Sequence, residues 1–376
     1  MPQGRIHFIN FSRKMTITST FFLIPLYFLK IGLTGWQIGT VVALFGFAPI
    51  LFSFPIGWIN DRFSINRVIQ GAFIAMSLLF FFMRWNRNFY ALAPTFLLLG
   101  CVNNALDISI NSLYYKDDTS IDQNKKYSLL VFWTSLGSAS GTLLGGILIF
   151  YTSFQSLFIV YALLPLIVLL GTKGFAKETF EAVSFRDYRL SLFNKKTMLF
   201  SVLLFILTLH WGAEGTVYSP FLREHFHLNN LYVSLYISIP LFLLAFAAFF
   251  IGLLKYNFRT NRRIFLIAMG LSGAGHILMV QTSLYLSFLF RIVHEIGDGF
   301  MGALIVLYIS RLFEKKNIGG SAGMLTGIMT LGHMVGALVF SPLGFKTGLQ
   351  YPFLISGFLL IANVFYGYNV FKRTQY

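Results

Sequence analysis

Long apolar stretches separated by short polar ones run the length of this chain. Six fill the first half, at roughly 15–31, 36–59, 67–84, 89–114, 127–150 and 154–172. Six more fill the second, at roughly 197–222, 230–254, 263–281, 284–312, 320–341 and 350–371. A helix needs about 20 mostly apolar residues to cross a bilayer core. The runs approach or pass that length, so the pattern predicts an all-α membrane protein with twelve transmembrane helices. The polar segment between the two sets, residues 173–196, is the longest in the chain. It divides residues 1–172 from residues 197–376, each predicted to form a six-helix bundle.

The halves also repeat each other. Ile56-Gly57, Phe63 and Asn66-Arg67 recur at one constant offset as Ile251-Gly252, Phe258 and Asn261-Arg262. The same offset relates Pro25 to Pro220, Leu33 to Leu228, and Leu136-Gly137 with Gly141 to Leu331-Gly332 with Gly336. A chain that repeats itself at half-length points to duplication. Duplicated helical bundles with a site between them are a common plan for transporters.

Composition narrows the class. Of 376 residues, 56% are hydrophobic and 11% charged, where a soluble domain carries about 25% charged. The net charge of +16 raises nucleic acid as a partner, but the basic residues are spread over short loops and form no patch. Nucleic acid is therefore not an expected partner, and membrane lipid is. The lone cysteine, Cys101, lies in an apolar run and reads as a packed small side chain. Met1 to Lys14 are polar and basic and lack a small-residue cleavage site, so they read as a cytoplasmic tail rather than a signal peptide.

Lys and Arg in the loops set the orientation. With both termini in the cytoplasm, the inner segments hold twenty-three of them and the outer loops five. Arg291 is left over, inside a run.

Gly57, Asp61, Arg62 and Arg67 fall in the predicted loop between the second and third helices. They match the signature Gly-x-x-x-Asp-Arg-x-Gly-Arg-Arg, and the chain resembles the major facilitator superfamily over essentially its whole length. Ser64 stands in place of the second glycine, and Asn66 in place of a base. The second copy keeps Gly252 and Arg262 but has Tyr256 where the acid belongs. The resemblance implies alternating access, with this loop latching the cytoplasmic face of an outward-open form; the bland alternative is a tight loop with orienting arginines. Gly137, Gly141, Gly145 and Gly146 give the fifth helix a small-residue face on which backbones can touch. That face also resembles the Gly-Pro-x-x-Gly-Gly signature of drug/proton antiporters, with Thr142 in the proline position.

Charges inside a bilayer are costly and usually face a bundle interior or a cavity. Here they sit on three runs. The fourth carries Asn103, Asn104, Asp107 and Asn111 within about a quarter of the helix circumference. The seventh carries His210, Glu214 and Tyr218, one turn apart. The tenth carries Arg291, His294, Glu295 and Asp298 on one narrow face. This last set resembles proton-coupled members of the superfamily, whose corresponding helix has a base, a His and an acid, although the acids here are displaced to Glu295 and Asp298. The resemblance implies a central cavity lined by helices 1, 4, 7 and 10. Arg291–Glu295 can equally be an internal packing pair, and Asp107 can simply be wet. His276 and His333 read as isolated packing residues, and the histidines show no metal-binding spacing.

No phosphate loop, nucleophile elbow or zinc-protease motif is present, so neither an enzyme nor a cofactor is expected. The expected function is secondary active transport of a small polar or charged organic solute, with protons as the coupling ion, in a monomer of a bacterial plasma membrane. Proton-antiport efflux of amphipathic compounds is the mechanistic rival. A lipid flippase or scramblase and a membrane acyltransferase are rivals of other classes.

Overall fold

A computed structural model describes residues 3–116, 122–172, 194–254, 258–313 and 318–374. Among these, twelve helices follow one another: α1 (Gln3–Lys30), α2 (Gly35–Arg62), α3 (Ile65–Met83), α4 (Phe89–Lys116), α5 (Gln123–Tyr151), α6 (Phe154–Gly171), α7 (Lys195–His225), α8 (Asn230–Leu253), α9 (Phe258–Leu278), α10 (Leu284–Leu312), α11 (Ile318–Thr347) and α12 (Tyr351–Thr374). No strand occurs in the described residues. The linker expected at 173–196 falls largely outside them; Lys195 and Lys196 open α7.

Small polar residues start the helices, because the first backbone N–H groups have no partner within the helix. Thr34 and Gln37 form a reciprocal capping box on α2. Ser153, Asn194 and Asn229 cap α6, α7 and α8 in the same role. Ten of the helices are long and apolar enough to cross a membrane. The two that fall short are α1, which carries Arg5, Arg13 and Lys14, and α9, whose first turns hold Arg259, Arg262 and Arg263.

Two expectations need correction. Residues up to Lys14 are not a tail: α1 begins at Gln3, and Ile6, Ile9, Arg13 and Ile17 are all buried. Arg13 can stay inside because Asp107 meets it, as described below. The signature segment is not an extended loop either. Gly57, Asp61 and Arg62 belong to α2, Arg67 to the first turn of α3, and Gly252 to α8. Only Phe63 and Ser64 separate α2 from α3. The last turn of α2 holds because Asn60, fully buried, accepts a hydrogen bond from Ser109 on α4 at 3.1 Å. The side chains of Asp61 and Arg62 lie outside the described residues.

Packing partners recur from one half to the other. α1 packs on α5 and α7 on α11; α2 on α4 and α8 on α10; α3 on α4 and α6, α9 on α10 and α12. α2 also packs on α11, and α5 on α8. The glycines show how close some of these pairs come. A side chain at Gly141 would place its Cβ 2.0 Å from the Met15 carbonyl oxygen of α1. At Gly336, the matching position, it would lie 2.1 Å from the Leu209 carbonyl oxygen of α7. Only glycine permits such backbone contact.

Candidate functional site

Two polar clusters lie among the helices, one in each half. The larger joins α7, α9 and α10. On α7, His210, Glu214 and Tyr218 recur every fourth residue and so share a face. On α10, Arg291 and Glu295 are one turn apart, as are His294 and Asp298, and the two pairs share a narrow face. α9 is drawn against α10 by further glycines: a Cβ at Gly275 would meet the Phe290 carbonyl oxygen at 2.6 Å, and one at Gly297 the Ala268 carbonyl oxygen at 2.5 Å. That close approach places Ser272 and His276 of α9 beside His294.

Arg291 is the hub. It donates to Glu214 on α7 and to Glu295 one turn along α10. Its guanidinium also lies over the Tyr218 ring, 4.4 Å from the centroid, a cation–π contact. The Tyr218 hydroxyl has no hydrogen-bond partner among the described residues. His294 Nε2 stands 3.1 Å from Glu214 and 3.9 Å from Asp298, and His210 Nε2 stands 3.2 Å from Asp298. Ser272 donates to the other Asp298 oxygen at 2.6 Å. Arg291, His210 and His294 are fully buried, Glu295 is 2% exposed and Glu214 6%.

The second ring nitrogens settle the tautomers. Nδ1 of His294 lies 2.8 Å from the Ser272 carbonyl oxygen, and Nδ1 of His210 lies on the Leu207 carbonyl oxygen. A carbonyl only accepts, so each Nδ1 carries the proton. A neutral ring then presents a bare Nε2 lone pair to a carboxylate. Acceptor faces acceptor at both histidines unless the ring or the carboxylate is protonated or a metal cation stands between them. The cluster thus holds three carboxylates: Glu214 and Glu295 meet Arg291, and Asp298 meets the two histidines.

The smaller cluster joins α1 and α4. Arg13 donates to Asp107 at 2.8 Å, to Asn103 at 3.2 Å and to Asn10 at 3.0 Å. Asn10 reaches Thr134 on α5 at 2.6 Å. Arg13 is buried, but the Asp107 side chain is 25% exposed. Asn104 turns aside and accepts from Ser53 on α2 at 3.2 Å, and Asn111 takes no part.

The fold thus unites His210, Glu214, Tyr218, Arg291, His294, Glu295 and Asp298, and separately unites Asn103 with Asp107. Sequence reasoning missed Arg13 and Ser272 and read His276 as an isolated packing residue. Arg13 had a signal: Ile6, Ile9, Arg13 and Ile17 fall on one helical stripe, which extends α1 toward the N-terminus. His276 is not isolated, as the sequence suggests. Its ring lies 4.7 Å from that of His294 and 5.4 Å from that of His210, centroid to centroid. His333 packs against Phe21 at 5.1 Å.

The sequence model of the Major Facilitator Superfamily matches residues 6–213 and 200–375. The chain belongs to the Major Facilitator Superfamily. It is therefore a multi-pass membrane protein of a family of transporters, not of enzymes. No curated protein matches it. Among solved structures it is similar to the human organic anion transporter MFSD10 (TETRAN), with TM-score 0.75 and 15% identity over 98% of this chain and 100% of that one. It is also similar to the nucleoside transporter NupG, with TM-score 0.74 and 16% identity over 99% of this chain and 100% of that one. At these identities the likeness establishes the fold.

Proposed function

We propose that this protein moves a small polar or charged organic solute across the membrane by alternating access, as a proton symporter. The observation that carries the coupling is the excess of buried carboxylate in the α7–α10 cluster. Charge left uncompensated in a dry interior is costly, and protons that bind and leave as the cluster is alternately exposed would relieve it. Glu214, Glu295 and Asp298 are the proposed carriers. The solute is proposed to contact the polar faces of α4, α7 and α10, including Asn103, Asp107 and Tyr218. Organic anions and nucleosides, named for the two similar structures, are polar organic solutes of this kind. Efflux of amphipathic compounds has less support, because Gly137 and Gly141 are occupied in packing α5 on α1.

The repeating helix partners support two six-helix bundles, residues 1–172 and 197–376, with all twelve helices crossing. The excess of bases on one side supports cytoplasmic termini, and the likeness to bacterial proton-coupled members supports a bacterial plasma membrane. A monomer suffices for this plan.

The test is transport by purified protein in liposomes against a panel of solutes, with and without a pH gradient. Glu214→Gln, Glu295→Gln and Asp298→Asn should lose gradient-driven accumulation while solute exchange continues. If all three accumulate solute as the parent does, these acids do not couple protons. A second expectation concerns Gly57, Asp61, Arg62 and Arg67 as the cytoplasmic latch. Asp61→Asn should shift cysteine crosslinking across that face toward open forms; unchanged crosslinking and transport would reduce the segment to an orientation signal.

A further inference from the structure

The two histidine–carboxylate contacts have the arrangement of an incomplete coordination sphere. Four donor atoms converge: Nε2 of His210, Nε2 of His294, an oxygen of Glu214 and an oxygen of Asp298. The His210, Glu214 and His294 atoms all lie within 4.8 Å of one another. Asp298 adds a fourth donor, 3.2 Å from His210 and 3.9 Å from His294. Ligands about 2.0–2.2 Å from a tetrahedral metal stand roughly 3.3–3.6 Å apart. The 3.2 Å His210–Asp298 and 3.1 Å His294–Glu214 separations are already close to that spacing.

We propose that His210, Glu214, His294 and Asp298 bind a divalent transition-metal ion of the zinc type.

The chemistry of the donors selects the ion. Mixed imidazole and carboxylate suits zinc and its first-row neighbours, whereas magnesium and calcium prefer oxygen alone. The outer contacts fit as well. Metal-binding histidines usually donate their other N–H to a carbonyl or carboxylate, as both do here, to Ser272 and Leu207. Glu214 is steadied by Arg291 and Asp298 by Ser272. With neutral histidines the three acids and one arginine leave a formal charge of −2, which one divalent ion cancels.

His276 is the independent observation. It is fully buried, edge-on to the His210 ring and tilted against that of His294, and neither ring nitrogen has a partner among the described residues. A buried polar side chain without partners is costly. A metal at its edge offers that ring a place as a fifth or exchanging ligand. Access is available from one side, since the Asp298 side chain is 11% exposed and that of Glu214 7%.

This inference does not rest on the transport reading. The test uses the full chain purified in detergent and stripped with chelator, titrated with Co²⁺ by visible absorption and with Zn²⁺ by calorimetry. One saturating Co²⁺ per chain is expected, with the absorption of a low-coordinate nitrogen/oxygen site. His210→Gln and His294→Gln should each weaken binding roughly tenfold or more. No saturable binding, or parental affinity in both variants, overturns the proposal. Should either variant fail to fold, X-ray absorption of the Zn²⁺-loaded parent decides. Two or three imidazoles in the first shell support the site, and one or none overturns it. Failure here leaves proton-driven uptake untouched, and failure of uptake leaves the metal titration valid.

Discussion

The polar clusters of the two halves occupy corresponding helices, α1 with α4 and α7 with α10, yet they are balanced in opposite ways. Around Arg13 the polar groups are paired directly. One acid and two amides, Asn10 and Asn103, meet the arginine, and Asp107 is partly open to water. Around Arg291 two carboxylates, Glu214 and Glu295, share a single arginine in a nearly dry pocket, and a third, Asp298, meets His210 and His294 instead. A duplicated frame can thus hold a settled ion pair at one position and an unsettled cluster at its counterpart. The second half, where histidines meet carboxylates, is therefore where ion coupling is proposed.

The largest expected effect comes from removing the hub. Arg291→Met leaves Glu214 and Glu295 buried without their cation, a loss of roughly 3–5 kcal/mol. The variant should appear in membranes at strongly reduced yield and unfold early on heating in detergent. Adding Glu214→Gln and Glu295→Gln to Arg291→Met should restore much of that stability. If the single variant is as stable as the parent, the cluster is wetter than described and the contrast between halves collapses.

A middle-sized effect tests whether the halves are built alike. Gly141→Ala and Gly336→Ala each force a Cβ onto a facing carbonyl, at 2.0 and 2.1 Å in the present packing. Overpacking of this kind costs roughly 1–3 kcal/mol. The two losses, read from thermal unfolding, should be similar. A large difference would show that the repeated glycines no longer do equivalent jobs.

The smallest effect is expected at the settled pair. Asp107→Asn removes one charged partner, but Arg13 keeps Asn10 and Asn103 and borders water through the exposed edge of the site. A hydrogen bond to a charged group contributes about 1.5–3 kcal/mol, and the retained amides should hold the loss near the lower end. Gradient-driven uptake should persist in this variant. If uptake loses its pH dependence instead, the coupling acid lies in the first half and the assignment above is reversed.

Much of the site was readable before the fold was known, for a simple reason. Arg291, His294, Glu295 and Asp298 lie within eight residues of one helix, and His210, Glu214 and Tyr218 within nine of another. Helical geometry alone puts each set on one face, and an apolar background makes them conspicuous. Arg13 was misplaced because a base near the N-terminus looks the same whether it orients a helix or pairs inside it. Ser272 was missed and His276 read as isolated because single polar residues on an apolar helix have no periodicity; what they face depends on how closely α9 approaches α10.

The sequence by itself determined the apolar rhythm, the half-length repeat, the family signature and the faces of α7 and α10. These depend on local helical geometry and on the cost of placing charge in lipid, and both act residue by residue. Only the tertiary structure decided that Arg13 belongs with Asp107, that α9 brings Ser272 and His276 to His294, and that Glu214 and Glu295 converge on Arg291 while Asp298 meets the two histidines. Those outcomes depend on which helices touch and how closely, and the contacts are set by glycines whose partners lie on other helices, often far along the chain.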